Sequence, residues 1–229
     1  MRLIFTTGVA AALFFIDFRL YAESAEAVVY DQVETSETRA TTETLIIGDS
    51  IFALNGVIGS TLEELSSQDI DSYAGIGAVM SGVVRQYQKA RKYGFARTVI
   101  MNGGGNDVLI DMGSCRAFTQ RCVAVIDDAI DQAVDLVEQM ESDGVESIYY
   151  LGYYYTTGLA SGLNQAIDYA MLRMRDICVG TQIRCEVVDT RDAMQGGGTI
   201  IWDGIHPSRM GSIKMAGLLW EKMQASGTD

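Results

Sequence analysis

The chain has 229 residues, with 17 basic and 30 acidic side chains for a formal net charge of −13, four Cys, one Pro and a single His. The length suits one α/β domain, and an apolar share of 48% is enough for a packed core. The acidic balance argues against nucleic acid and anionic lipid as partners, and one His excludes His-rich metal sites and multi-His proton relays.

The N-terminus has the pattern of an export signal. Met1-Arg2 supplies a positive start, and Leu3 to Ile16 is an apolar run of 14 residues that ends at Asp17. As a helix it would span ~21 Å, short of a ~30 Å hydrocarbon core. Ser24-Ala25-Glu26-Ala27 offers an A-x-A-like cleavage site, so 1–27 reads as a signal peptide, with no stable membrane span after its removal. Cleavage there removes two basic and three acidic residues, so the acidity belongs to the mature domain. Residues 28–43 are polar and rich in Thr and Glu, a flexible leader to a domain over 44–229.

From Leu45 onward, short apolar runs alternate with longer amphipathic ones. Leu45-Ile46-Ile47 reads as a buried strand ending in Gly48-Asp49-Ser50. A helix over Gly56 to Ser66 and a second strand over Asp69 to Ala74 follow. Val79 to Tyr93 is an amphipathic helix that stops at Gly94. Thr98 to Met101 is a third strand, leading into Asn102-Gly103-Gly104-Gly105-Asn106-Asp107. Cys122 to Met140 carries Val123, Ile126, Ala129, Ile130, Ala133 and Val137 on one helical face. Ser147 to Leu151 is a fourth strand, Leu163 to Ile177 a helix, Ile183 to Val188 a fifth strand and Ser208 to Met223 a closing helix. This β-α-β-α order predicts an α/β fold with a mainly parallel five-stranded sheet and helices on both faces. In such sheets ligands bind beyond the carboxyl ends of the strands, where the Gly-rich polar segments fall here.

Cys115 and Cys122 are separated by six intervening residues, and Cys178 and Cys185 repeat that spacing. Four Cys allow three pairings. Two local bridges are the preferred reading, each stabilising by about 2.5 kcal/mol through the chain-entropy effect of a short loop. Zinc pairs sit closer together, so no metal site is expected. The bridges and the signal together point to a secreted or periplasmic protein.

Ser50 falls where a strand turns into a loop, and a serine hydroxyl needs a base to become a nucleophile. The one His, His206, stands three residues after Asp203 in Asp203-Gly204-Ile205-His206-Pro207. A carboxylate that close can hold Nδ1–H and leave Nε2 free as the base. Donors for a developing oxyanion are available from the Ser50 and Gly77 amides and the Asn106 side chain.

These blocks resemble the SGNH (GDSL-type) hydrolases. Leu45 to Ser50 is similar to the nucleophile block and Tyr73-Ala74-Gly75-Ile76-Gly77 to the block with the oxyanion glycine. Gly104-Gly105-Asn106-Asp107 is similar to the block with the oxyanion asparagine, and Asp203 to Pro207 to the block with the remaining triad members. The resemblance runs from Leu45 to Met223. It departs at Ile51, where the family name has Leu, and at Ser72-Tyr73, which leaves Gly75 a rival to Gly77. It implies a flavodoxin-like three-layer α/β/α sandwich and a serine esterase with Ser50, Asp203 and His206 as the triad. It also implies an oxyanion hole from Ser50, Gly77 and Asn106, with no cofactor or metal. The implied substrate is a small-molecule, glycan or lipid ester. A broad short-chain esterase or lysophospholipase is the first reading, a carbohydrate O-acetylesterase the second. A non-catalytic envelope protein binding glycan or lipid on the same fold is the reading from another class. Tyr153, Tyr154 and Tyr155 leave the fourth strand and are expected to overhang the cleft. Met194 to Gly198, before Trp202, reads as a flap or a connector.

Overall fold

A computed structural model describes residues 41–225. The expected signal peptide and residues 28–40 of the expected leader lie outside them. Five strands form the sheet: β1 (Thr41–Ile47), β2 (Ile70–Ser72), β3 (Phe95–Met101), β4 (Ser147–Leu151) and β5 (Arg184–Val188). Their order is β2-β1-β3-β4-β5 and every pairing is parallel. The helices are α1 (Ser50–Ala53), α2 (Val57–Ser66), α3 (Met80–Ala90), α4 (Gly105–Ile110), α5 (Met112–Arg116), α6 (Gln120–Ser142), α7 (Asn164–Arg173) and α8 (Arg209–Ala225).

Alternation along the strands sorts side chains between two cores. Leu45, Ile47, Val99, Met101, Ile148 and Tyr150 meet α3, α6 and α7 on one face. Ile46, Ile100, Tyr149 and Leu151 meet Ile58 and Leu62 of α2 and Met215, Ala216 and Leu219 of α8 on the other. The result is the expected α/β/α sandwich. Strands buried on both faces explain the unbroken apolar run Leu45-Ile46-Ile47.

Several boundaries differ from the sequence reading. β1 begins at Thr41, three residues inside the expected leader, because Thr41 and Thr42 pair with Phe95 and Ala96. β3 correspondingly starts before Thr98. The expected Leu163 to Ile177 helix divides into a 3-10 turn over Gly158–Leu163, α7, and a second 3-10 turn over Met174–Cys178. Helices α1, α4 and α5 have four, six and five residues, too few for a helical period to show in sequence. Both local bridges are formed, Cys115–Cys122 joining α5 to α6 and Cys178–Cys185 reaching β5.

After β1 the chain first lays β2 on one side, then crosses to place β3 on the other. The crevice opens at that reversal, beyond the carboxyl ends of β1 and β3. Ser50 follows β1 and Gly103 to Asn106 follow β3, so the topology brings these two segments side by side.

Candidate active site

Three polar side chains clamp the loop that carries Ser50. Gln86 of α3 accepts from the Gly48 amide at 2.7 Å and donates to the Gly48 carbonyl at 2.9 Å. Asn102 accepts from the Asp49 amide at 2.9 Å and donates back to Asp49 Oδ1 at 2.8 Å. Asp49 Oδ1 also caps α1 by accepting from the Ile51 amide at 2.9 Å. Its Oδ2 accepts from the Tyr153 hydroxyl at 2.6 Å. Asp49 is buried, and burial raises its carboxyl above the ordinary range against the pull of these donors. Sequence reasoning passed over Gln86 and Asn102. Gln86 is one polar residue among many on an amphipathic helix, and only its contact with Gly48, 38 positions away, sets it apart.

Ser50, His206 and Asp203 form one hydrogen-bonded chain. Ser50 Oγ lies 2.9 Å from His206 Nε2, and His206 Nδ1 lies 2.6 Å from Asp203 Oδ2. Asp203 Oδ1 accepts from the amides of Ile205 at 2.8 Å and His206 at 2.9 Å. Burial pushes the Asp203 carboxyl up, but the His206 ring and the two amides outweigh it and hold the carboxyl below its ordinary value. The loop closes at Gly204, whose φ of +74° suits glycine and whose missing side chain lets the Thr157 carbonyl approach. An ionised Asp203 fixes the imidazole so that Nε2 faces the serine, the geometry a general base requires.

Of the donors expected for an oxyanion, Asn106 lines the same pocket as Ser50. Ser50 opens α1, so its amide has no intrahelical partner. The Gly75 amide donates to the Gly48 carbonyl at 2.9 Å, whereas the Gly77 amide has no hydrogen-bond partner among the described residues. Gly77 has φ +75°, a conformation that favours glycine although a side chain there would meet nothing within 4 Å. The Asn106 side chain donates one N–H to the Ala78 carbonyl at 3.0 Å, which ties α4 to the Gly77 loop and leaves its second N–H available. Asp107 accepts from the Met80 amide at 2.9 Å and so holds the start of α3.

The run Gly103-Gly104-Gly105 is a packing requirement rather than a loose turn. A Cβ at Gly103 would lie 2.5 Å from Met80 Sδ, one at Gly104 3.3 Å from Ala129 Cβ, and one at Gly105 2.7 Å from the Tyr153 ring. Beyond these glycines an apolar pocket of about 800 Å³, including the part open to solvent, extends from Ser50 and Asn106 toward α6 and α7. Tyr153 and Tyr154 line it as expected. Tyr155 does not. It turns to the far side, where its hydroxyl donates to Asp168 at 2.6 Å and Arg191 lies 5.8 Å from its ring centroid. Past the end of β4 at Leu151 strict alternation no longer holds, and the contacts with Asp168 and Arg191 keep the Tyr155 ring out of the cleft. Met194 to Gly198 is tied back by Thr199, whose hydroxyl reaches the Met194 and Gly196 carbonyls at 2.7 and 3.0 Å. With Tyr155 it borders a separate surface hollow.

Comparison with known proteins points the same way as the geometry. The sequence profile of the GDSL-like Lipase/Acylhydrolase family matches residues 45–219. No curated protein sequence matches. Among solved structures, the chain is similar to the lipase Lip_vut3 from a goat rumen metagenome (TM-score 0.64, 16% identity, covering 78% of this chain and 96% of that one). It is also similar to Axe2, an acetyl-xylooligosaccharide esterase from Geobacillus stearmophilus (TM-score 0.60, 18% identity, 81% and 96% covered). The lipase/acylhydrolase from Enterococcus faecalis is another neighbour (TM-score 0.60, 14% identity, 80% and 96% covered). At these identities the structural likeness is one of fold.

Proposed function

Because the chain belongs to the GDSL-like lipase/acylhydrolase family and is a carboxylic ester hydrolase, we propose that it works through a Ser50-His206-Asp203 triad and an acyl-enzyme intermediate. The unbroken chain of hydrogen bonds from Ser50 Oγ through both ring nitrogens of His206 to Asp203 carries this reading. His206 Nε2 takes the Ser50 proton as Oγ attacks the ester carbonyl. Asp203 stays ionised and stabilises the imidazolium. The negative oxygen of the tetrahedral intermediate is held by the Ser50 and Gly77 amides and the Asn106 side chain, each donor contributing about 3–4 kcal/mol. Collapse expels the alcohol, which takes the proton from His206. Water then attacks the acyl-enzyme by the same route and frees the acid and Ser50.

We take the site of action to be outside the cytoplasm. The two disulfides support an oxidising destination, in keeping with a signal over 1–27. Among the described residues no helix is long and apolar enough to cross a membrane.

Labelling with a fluorophosphonate, followed by peptide mass spectrometry, tests the mechanism. One adduct on Ser50, abolished in Ser50→Ala together with hydrolysis of every ester, is the expected result. An adduct elsewhere, or hydrolysis that survives Ser50→Ala, overturns it. A protein that neither labels nor hydrolyses any ester would instead be a binding protein on this fold.

A further inference from the structure

We infer that the apolar pocket beside Ser50 receives the acyl chain of the ester, that this chain is longer than acetyl, and that Ala170 of α7 sets its length. The inference rests on Ser50 being the nucleophile, as proposed above.

The side of the site that the pocket occupies assigns it to the acyl half. Ser50 and Asn106 line it, but His206 does not. The leaving alcohol must lie against His206 Nε2 to collect its proton, so the alcohol sits on the His206 side of the carbonyl carbon. The acyl group extends the other way from Ser50 Oγ, into the pocket.

The walls then select the chemistry. Beyond Ser50 and Asn106 they are built by Leu109 of α4, Ile126 and Ile130 of α6, Ala166 and Ala170 of α7, and Met174. The polar side chains on the wall are already engaged. Tyr153 donates to Asp49, Tyr154 donates to the Ile205 carbonyl at 2.7 Å, and Thr156 donates to the Ala160 carbonyl at 2.7 Å. None of these three hydroxyls has a proton left to donate to a sugar hydroxyl, whereas methylene groups gain by leaving water there. Ala170 of α7 lines the pocket and is only partly buried, so its small side chain leaves room that Leu or Met would fill.

The test is kcat/KM on p-nitrophenyl esters from acetate to dodecanoate. Each methylene that enters the pocket should raise kcat/KM by a factor of about four until the pocket is full. Ala170→Phe should move the optimum to shorter chains and lower the octanoate-to-acetate ratio roughly sixtyfold, as for three excluded methylenes. Inhibition of the unaltered protein by n-alkylboronic acids, ethyl to octyl, gives a second reading that needs no variant: the inhibition constant should fall by the same factor per methylene. An active wild type that prefers acetate, a folded Ala170→Phe protein with an unchanged profile, or an inhibition constant indifferent to chain length overturns the assignment. Those outcomes leave the nucleophile standing, which only the loss of activity in Ser50→Ala and the labelling site can decide.

Discussion

Replacing Tyr153 by Phe removes one oxygen that joins two halves of the site. That hydroxyl donates to Asp49 Oδ2 at 2.6 Å and accepts from the Gly105 amide at 2.9 Å. Asp49 precedes Ser50, and Gly105 precedes Asn106, so the hydroxyl ties the nucleophile loop to the start of α4. Asp49 is only 2% exposed, and its two remaining side-chain contacts, from Ile51 and Asn102, both fall on Oδ1. Tyr153→Phe therefore leaves Oδ2 bare in a water-poor site. Loss of a hydrogen bond to a charged group costs about 1.5–3 kcal/mol, and the orphaned Gly105 amide adds about 1–2 kcal/mol. The expected total of about 2.5–5 kcal/mol corresponds to a fall in Tm of roughly 5–20 °C for a domain of this size. Urea unfolding with an unchanged m value measures it. The penalty should depend on pH. Burial raises the Asp49 carboxyl, so ionisation of this group costs stability, and the cost grows as pH rises through the raised value. The destabilisation by Tyr153→Phe should accordingly shrink toward acid, where Asp49 takes up a proton. Activity supplies the second readout: a shift of about 1 Å between Ser50 and Asn106 lowers kcat by up to about 100-fold, with KM moving less. A variant within 1 kcal/mol of wild type and with wild-type kcat would refute the reasoning.

Two other outcomes follow from the same geometry. Gly77→Ala should cost about 1–2 kcal/mol for its left-handed backbone and, by displacing the free amide, lower kcat/KM by at least about tenfold. Gly75→Ala should change kcat/KM by no more than about twofold, because Gly75 has no positive φ and a Cβ there makes only an ordinary 3.4 Å contact with Gln86; the reverse pattern in steady-state kinetics would move the oxyanion glycine to Gly75. Asp203→Asn should lower kcat by roughly three to four orders of magnitude, by leaving His206 in the wrong tautomer. Since the folded Asp203 carboxyl lies below its ordinary value, its contribution to stability is complete above about pH 4 and is lost as pH falls through the lower folded value. Acid titration of the variant, followed by circular dichroism, should lack that part of the transition.

Ser50, Asn106, Asp203 and His206 were legible because each is polar or follows glycine at the end of a predicted strand or in a loop. The pairing of Asp203 with His206 is local, and the three-residue spacing limits where its partners can go. The bridges Cys115–Cys122 and Cys178–Cys185 are local in the same way. Tyr153 illustrates the opposite case. The sequence offered it as one of three consecutive aromatic residues, and nothing in the order of residues separates it from Tyr155. Only the placement of β4 beside β3 puts its hydroxyl on Asp49, 104 positions away, and turns Tyr155 toward Asp168. The choice between Gly75 and Gly77 likewise hangs on a contact with Gly48, which pairing of β1 with β2 creates.

The sequence by itself determined the alternation of strands and helices, the chemical kinds of residue at the strand ends, and the local Asp203–His206 pair, because periodicity and short spacing act between chain neighbours. The tertiary structure decided which strand ends meet, which amides remain free for an oxyanion, and where an apolar pocket opens beside Ser50. Those depend on the packing of segments from 28 to 156 residues apart, and such contacts are set by sheet order and layer stacking, which no local pattern encodes.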